Sequence, residues 1–411
     1  PRSANRMSES LHDDSSPALL PAGFRTAGVA CGIKDDPDTL DLAVFAADGP
    51  VTAAGVFTQN RVCGAPVKVS RERVPGEGVR AVVVNSGNAN ACTGSRGIED
   101  AKLMTAVVAE QLGCDPEAVL VCSTGVIGHY LPIETIVSGI PRVVEMLDDS
   151  PGAFHTAARA MMTTDTVAKQ SVHEVQLPDG SYRVSGAAKG AAMIGPNMAT
   201  MLAVVMTDVP LTTDQADSVL RQAVDASFNS ISVEGHTSTS DSVLLLAGGG
   251  EGGKVGEADL DTVTAAVTRV CQDLARAIVA DAEGADHLVQ IDVNGLRTRG
   301  EAELIARTIA DDALVKTAIT GNDPNWGRIV SCCGRTGVEL VENDITLSIN
   351  GTRIFEKGVP VEYDETQLST SMRDAPQVEI DLSFPFGPYS TRFWTCDLTT
   401  EYVRLNSEYT T

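Results

Sequence analysis

Cations and aromatic rings are both scarce in this chain. Its 411 residues hold 31 Lys and Arg against 55 Asp and Glu, a formal charge of −24, and such a surface is repelled by nucleic acid and by anionic membranes. Phe, Trp and Tyr make up 4% of the residues and apolar residues 43%, so the interior has to be built mainly from Ala, Val, Leu and Ile. Long apolar runs are missing too. The best candidates, Met201–Met206 and Val243–Ala247, fall far short of the roughly 20 residues a membrane-crossing helix needs.

Other signatures are equally absent. The two arginines of Pro1–Met7 are followed by no apolar stretch, so the start is not a secretory signal, and the residues ahead of Met7 read as an expression remnant. The nine cysteines never stand as Cys-x-x-Cys, and adjacent Cys332-Cys333 is poorly suited to one tetrahedral metal. His12, His129, His155, His173, His236 and His287 form no His-x-x-x-His pair. Metal chemistry is therefore set aside, and the thiols are expected to be reduced, in the cytoplasm. No Gly-x-Ser-x-Gly elbow marks a serine, although triads built from distant residues stay open. There is no internal repeat and no Pro/Ser-rich linker.

What is present alternates. Short β-branched runs at Ala81–Val84, Val119–Cys122, Met201–Met206, Val243–Leu246 and Val289–Val293 predict buried strands. Between them, Ile98–Leu112 and Leu260–Val279 carry apolar residues at helical spacing, with Gly113 placed to end the first. Length allows about two or three domains, or one large α/β body. The fold class is α/β with mixed layers, strands and helices persisting to Phe386.

Two segments invite chemistry. Gly248 to Lys254 opens like a phosphate-binding loop after a strand, but Val255 stands where Mg²⁺ binding needs Ser or Thr. A solvated turn is the better reading, leaving a nucleotide-binding regulator as the non-enzymatic rival. The run from Lys189 through Gly195-Pro-Asn-Met-Ala-Thr200 to Met206 leads into an apolar strand. Held under strain, the Thr200 hydroxyl can attack the Ala199 carbonyl, and hydrolysis of the ester leaves a new N-terminal threonine. Its amine, with an ordinary pKa of about 7.7–8.0, can act as base to its own hydroxyl. On the residues alone, an ordinary strand start remains the preferred alternative.

The same segment resembles the processing site of the bifunctional ornithine acetyltransferase / N-acetylglutamate synthase family of arginine biosynthesis. Asn85–Gly94, Cys122–Gly128, Met162–Thr166, Thr237–Asp241, Leu314–Thr317, Asp323–Arg328 and Tyr402–Tyr409 resemble that family as well, in order and from about Pro21 onward. The resemblance implies autocleavage between Ala199 and Thr200 and makes Thr200 the nucleophile. Residues 1–20 are then a flexible N-terminus, 21–199 an α portion and 200–411 a β portion. Thr124 and Gly125 match the oxyanion position, where a hydroxyl and a backbone N–H meet the developing negative charge. Thr163, Lys189, Glu283, Asn406 and Thr411 match substrate-binding positions, with Lys189 suited to a carboxylate and Glu283 to the ornithine amine. The Thr411 carboxylate is expected in or near the site.

The reaction so implied is double displacement: N2-acetyl-L-ornithine acylates Thr200, L-ornithine leaves, and L-glutamate takes the acetyl group as N-acetyl-L-glutamate. No dissociable cofactor is needed, and bifunctional members also accept acetyl-CoA as co-substrate. The fragments stay associated, with α2β2 the expected assembly. An N-terminal-nucleophile amidase or aminopeptidase, passing the acyl group to water, is the catalytic alternative. Two departures touch affinity. Asp286-His287 stands where the family usually has Ser/Thr-Lys, exchanging a cation for a mostly neutral imidazole, and Glu234-Gly-His236 stands where Asp-Gly-Asp is usual.

Overall fold

A computed structural model describes residues 18–195, 201–248 and 255–408. The chain divides into two compact units, one drawn mainly from Asp14–Asn229 and Thr237–Ile278, the other from Ser230–His236 and Val279–Thr410.

The first unit is built on a sheet of eight strands: β1 (Phe24–Val29), β2 (Leu42–Phe57), β3 (Gly76–Asn88), β4 (Val119–Val126), β5 (Lys169–Leu177), β6 (Gly180–Lys189), β7 (Leu202–Thr207) and β8 (Ser242–Ala247). Their order is β4-β3-β2-β8-β7-β6-β5, with β1 also on β2. Only the β3–β4 and β7–β8 pairs are parallel. Side chains alternate across a strand, so one face takes Ala43, Phe45, Val82, Val84, Leu120 and Cys122, and the other Leu42, Val44, Ala81, Val83, Val119 and Val121. Both faces are covered, which is why Ala81–Val84 reads as an unbroken apolar run.

The helices of this unit are α1 (Ala65–Arg71), α2 (Gly94–Leu112), α3 (Ile133–Glu145), α4 (Pro151–Met161), α5 (Thr213–Asp225) and α6 (Glu257–Ala280). Helix α4 packs Phe154, Ala157 and Met161 on the first face, while α2 and α3 set Ala101, Met104, Val108, Ile136 and Ile140 on the second. Gly113 ends α2 in the left-handed conformation expected of it, at φ 66°. Gly186 of β6 lets α6 approach, since a Cβ there would lie 2.9 Å from both Val270 and Leu274 side chains. The glycine-rich residues 249–254 after β8 lie outside the described ones, and α6 opens with Glu257 and Asp259 in its first turn, charges unfavourable to phosphate there.

The second unit has a six-stranded sheet ordered β12-β11-β10-β13-β9-β14. These strands are β9 (Leu288–Leu296), β10 (Thr346–Ile349), β11 (Thr352–Glu356), β12 (Val359–Pro360), β13 (Gln377–Ser383) and β14 (Tyr389–Cys396). Helices α7 (Arg299–Ala310), α8 (Ala313–Thr320), α9 (Trp326–Gly334) and α10 (Glu365–Asp374) contribute to its core, in which Ile305, Ile309, Ile329 and Met372 meet Val289, Ile291, Leu347 and Val378. Helix α11 (Thr400–Glu408) closes the described chain. The five strand runs and two helices read from the sequence are all present, in a mixed α/β fold.

Candidate active site

In the first unit, three elements converge on Lys189. Strand β4 ends at Thr124-Gly125-Val126 beside Ser86-Gly87-Asn88 of β3, where the parallel register slips at Asn88. Gly125 has φ +131°, and a Cβ on it would stand 2.3 Å from the Gly87 carbonyl carbon. Only glycine fits that backbone. Ser123 locks the neighbouring turn by donating to Asn85 Oδ1 at 2.5 Å, and Asn85 donates to the Asn88 carbonyl at 2.9 Å.

The second element is the turn between α4 and β5, which carries Thr163. Helix α4 starts with its Ser150 hydroxyl accepting from Ala153 N and Pro at its first turn. The third is the β5–β6 hairpin, reversed at Pro178-Asp179-Gly180, whose returning strand ends on Lys189. The buried Lys189 Nζ donates to Thr163 Oγ1 at 2.6 Å and stands 3.5 Å from Thr124 Oγ1. Thr124, Gly125, Thr163 and Lys189, dispersed in sequence, thus gather in one place.

Asp165 organises this cluster. Its carboxylate accepts from Lys169 Nζ (2.7 Å), Gly190 N (2.7 Å) and Thr163 N (3.0 Å), and lies 3.7 Å from Lys189 Nζ. Burial alone would raise its pKa, but the charges of Lys169 and Lys189 outweigh burial and hold it well below the usual carboxylate range. Lys34 joins from the β1–β2 loop, donating to the Leu40 and Met162 carbonyls at 2.8 and 2.7 Å.

Lys189 also marks where the chain re-enters the sheet, because it pairs with Leu202 at the head of β7. Ala199 and Thr200 lie outside the described residues. Met201 N donates to Asp241 Oδ1 at 3.2 Å, and among the described residues the other Asp241 oxygen is buried with no partner at hydrogen-bond geometry. Burial pushes the Asp241 carboxyl up to about 8. Sequence reasoning assigned no role to Asp165, Lys169, Lys34 or Asp241. Asp165 and Asp241 sit inside motifs quoted above, and a carboxylate four residues before a lysine was the one readable sign of the Asp165–Lys169 pair.

The second unit holds Glu283 and Asn406. Asn406 Nδ2 donates to Glu283 Oε2 at 2.9 Å. Gly284, at φ +68°, permits the contact, since a Cβ there would stand 2.4 Å from Tyr402 N. Thr399 Oγ1 donates to the Gly284 carbonyl at 2.5 Å, and buried Asp397 accepts from Asp286 N, His287 N and His287 Nδ1 at 2.9, 3.1 and 2.9 Å. Burial would lower the His287 pKa, but Asp397 and Asp286 outweigh it and raise it. The imidazole therefore keeps more cationic character than the exchange of lysine for histidine suggests. Glu234 and Glu283 both act on Tyr402, whose phenol is pushed up to about 12, chiefly by burial. Thr411 lies outside the described residues.

Among the described residues, no three His, Cys, Asp or Glu side chains gather as a metal site requires, and no helix is long and apolar enough to cross a membrane.

Known proteins resemble the chain over almost its whole length. The ArgJ family model matches residues 25–411. The chain is 43% identical to the arginine biosynthesis bifunctional protein ArgJ of Rhodopirellula baltica over 404 residues, 97% of this chain and 98% of the relative. It is 43% identical to a glutamate N-acetyltransferase of Methanosarcina mazei over 387 residues, 93% and 96% of the two chains. A crystal structure of Mycobacterium tuberculosis ornithine acetyltransferase complexed with ornithine is 41% identical and covers 44% of this chain and 95% of its own, with a TM-score of 0.41. The chain belongs to the ArgJ family.

Proposed function

We propose that this enzyme is a glutamate N-acetyltransferase that moves the acetyl group of N2-acetyl-L-ornithine to L-glutamate through an acetyl ester on Thr200, after cutting itself between Ala199 and Thr200. The observation that carries the reading is the position of Lys189, in register with Leu202 two residues beyond Thr200 and within reach of both Thr163 and Thr124.

In this reading Lys189 and Thr163 hold the substrate α-carboxylate. Thr124 Oγ–H and the Gly125 N–H stabilise the oxyanion that forms on the acetyl carbonyl. The free amine of Thr200 takes the proton from its own hydroxyl, the Oγ–acetyl bond forms as the ornithine N–acetyl bond breaks, and that proton goes to the departing amine. Glutamate then attacks the ester by the same steps in reverse. Glu283, oriented by Asn406, serves the ornithine ammonium, and Thr411 completes the binding set. The amidase alternative is disfavoured by near-full-length similarity to acetyltransferases.

The sheet explains why cut fragments would hold together. The β portion supplies β7 and β8, which lie between β2 and β6 of the α portion, so separating the fragments would break both flanking ladders. Association as α2β2 and a cytoplasmic location, consistent with nine unpaired cysteines, belong to the same proposal.

An intact-mass spectrum beside a Thr200→Ala variant tests it. Two fragments meeting at Ala199/Thr200 in the wild type, an uncut variant, and N-acetylglutamate formed only when glutamate is supplied are expected. A wild-type chain that stays whole on prolonged incubation refutes the threonine ester; acetate released regardless of glutamate refutes the transfer.

A further inference from the structure

The Lys34 ammonium is half-buried, yet its two hydrogen-bond partners among the described residues, the Leu40 and Met162 carbonyls, carry no charge. The acids whose charge it feels are Asp41 and Asp165, and both are committed elsewhere. Asp41 accepts from the backbone N–H groups of Cys31, Gly32, Ile33 and Lys34 itself, while Asp165 is taken by Lys169, Gly190 and Thr163. A cation held partly out of water without a paired carboxylate is costly, and a bound anion offsets that cost. Burial, with Lys189 adding repulsion, lowers the Lys34 pKa.

Lys34 is also well placed. Its head holds the carbonyl next to Thr163, and its stem runs past Gly87, where an added Cβ would come within 3.2 Å of Lys34 Cγ. Gly87 is the residue opposite Gly125. One side chain therefore joins the Thr163 turn to Gly87, the strand position paired with Gly125.

The two amino acids of the proposed reaction share an α-carboxylate but end differently, ornithine in an ammonium and glutamate in a carboxylate. An acid suited to the first repels the second. Lys189 serves the shared carboxylate, and Lys169 is consumed by Asp165, so the acceptor's extra charge needs another cation. We propose that Lys34 is that cation and forms, with the Thr163 turn, a subsite for the side-chain carboxylate of the glutamate acceptor. This inference rests on the acetyltransferase reading above.

The test compares L-glutamate with its neutral isostere L-glutamine as acceptors from N2-acetyl-L-ornithine, in wild type, Lys34→Gln and Lys34→Arg. The wild type is expected to prefer glutamate, and Lys34→Gln to shrink the ratio of the two kcat/KM values about tenfold or more, the worth of one charge-assisted hydrogen bond. Lys34→Arg is expected to retain most of the ratio. A lysine that only braced Met162 would slow both acceptors equally, so an unchanged ratio overturns the proposal. Lys34→Met, which keeps the stem beside Gly87, is the second variant should Lys34→Gln not fold. Absence of any preference in the wild type overturns the proposal without a variant. Exchange of acetyl between N2-acetyl-L-ornithine and labelled L-ornithine separates the two readings: wild-type exchange with an unaltered ratio sinks only the Lys34 subsite, and no exchange sinks the acetyltransferase reading.

Discussion

Lys189 Nζ stands 2.6 Å from Thr163 Oγ1 and 3.7 Å from Asp165 Oδ2. The same ammonium is thus held from one side by a hydroxyl and from another by a charge, which fixes its direction more firmly than either contact alone. A flexible four-carbon stem loses its freedom once, in folding, and need not lose it again when a carboxylate binds.

Replacing Lys189 by Met should therefore act on substrate binding. Loss of one charge-assisted hydrogen bond is worth about 1.5–3 kcal/mol, and kcat/KM for N2-acetyl-L-ornithine is expected to fall about tenfold to a hundredfold, mostly through KM. Arginine is not expected to rescue, because its planar head cannot occupy a point-charge position between Thr163 and Asp165. Steady-state kinetics on matched preparations decide this; an unaltered KM would remove Lys189 from the binding set.

Asp165→Asn should be felt in stability before activity. The neutral amide leaves Lys169 and Lys189 buried without their carboxylate, and breaking a buried pair this way costs about 3–5 kcal/mol. The sign with pH follows from the depressed value. A carboxylate whose folded pKa lies below its ordinary 3.8 stabilises fully above that value and loses its contribution as pH falls below it toward the folded one. Urea midpoints should differ widely between wild type and variant at pH 7 and converge under strong acid.

Much of the first unit could be read from sequence because its strands are unbroken apolar runs. Ala81–Val84 and Val243–Leu246 are buried on both faces, and continuous hydrophobicity is then the only pattern available. The neighbours of those strands could not be read. Strand β2 crosses Gly49-Pro50 and shifts register, so that its first half pairs with β1 and its second with β8; no local pattern encodes that choice. The site divides the same way. Thr124, Thr163 and Lys189 stand in motifs that resemble the family's, whereas Lys34 reaches the Met162 carbonyl, 128 residues away in sequence, which only the folded chain brings near.

Asp241 makes the opposite prediction to Asp165. Its carboxyl is pushed up to about 8 by burial, so the folded state holds a proton the unfolded chain releases near 3.8. Stability from this group is full below 3.8 and declines as pH rises, the loss levelling off past about 8. Asp241→Asn keeps an oxygen for Met201 N but cannot ionise. Measured in the Thr200→Ala background, where no new ammonium forms, the variant should show a flatter decline in melting temperature between pH 5 and pH 8, in buffers at about those values. Parallel curves would mean that Asp241 is not titrating in the folded protein.

The loop bearing Glu283 should answer to a histidine. Asp397 ties that loop through Asp286 N, His287 N and the His287 ring, while Asn406 holds Glu283 itself. The raised His287 pKa means that its contribution is fully present below the ordinary value of 6.5 and is lost as pH rises through the folded value. Asp397→Asn removes both the charge and the pH dependence, and KM for N2-acetyl-L-ornithine is expected to rise several-fold at pH 6 with less change at pH 9, buffers chosen on either side of histidine titration at about 6.5. His287→Lys extends the cation to higher pH and should hold KM level where the wild type weakens. The comparison of the two variants across pH separates loop anchoring from general damage, since a merely destabilised second unit would raise KM in both and at every pH.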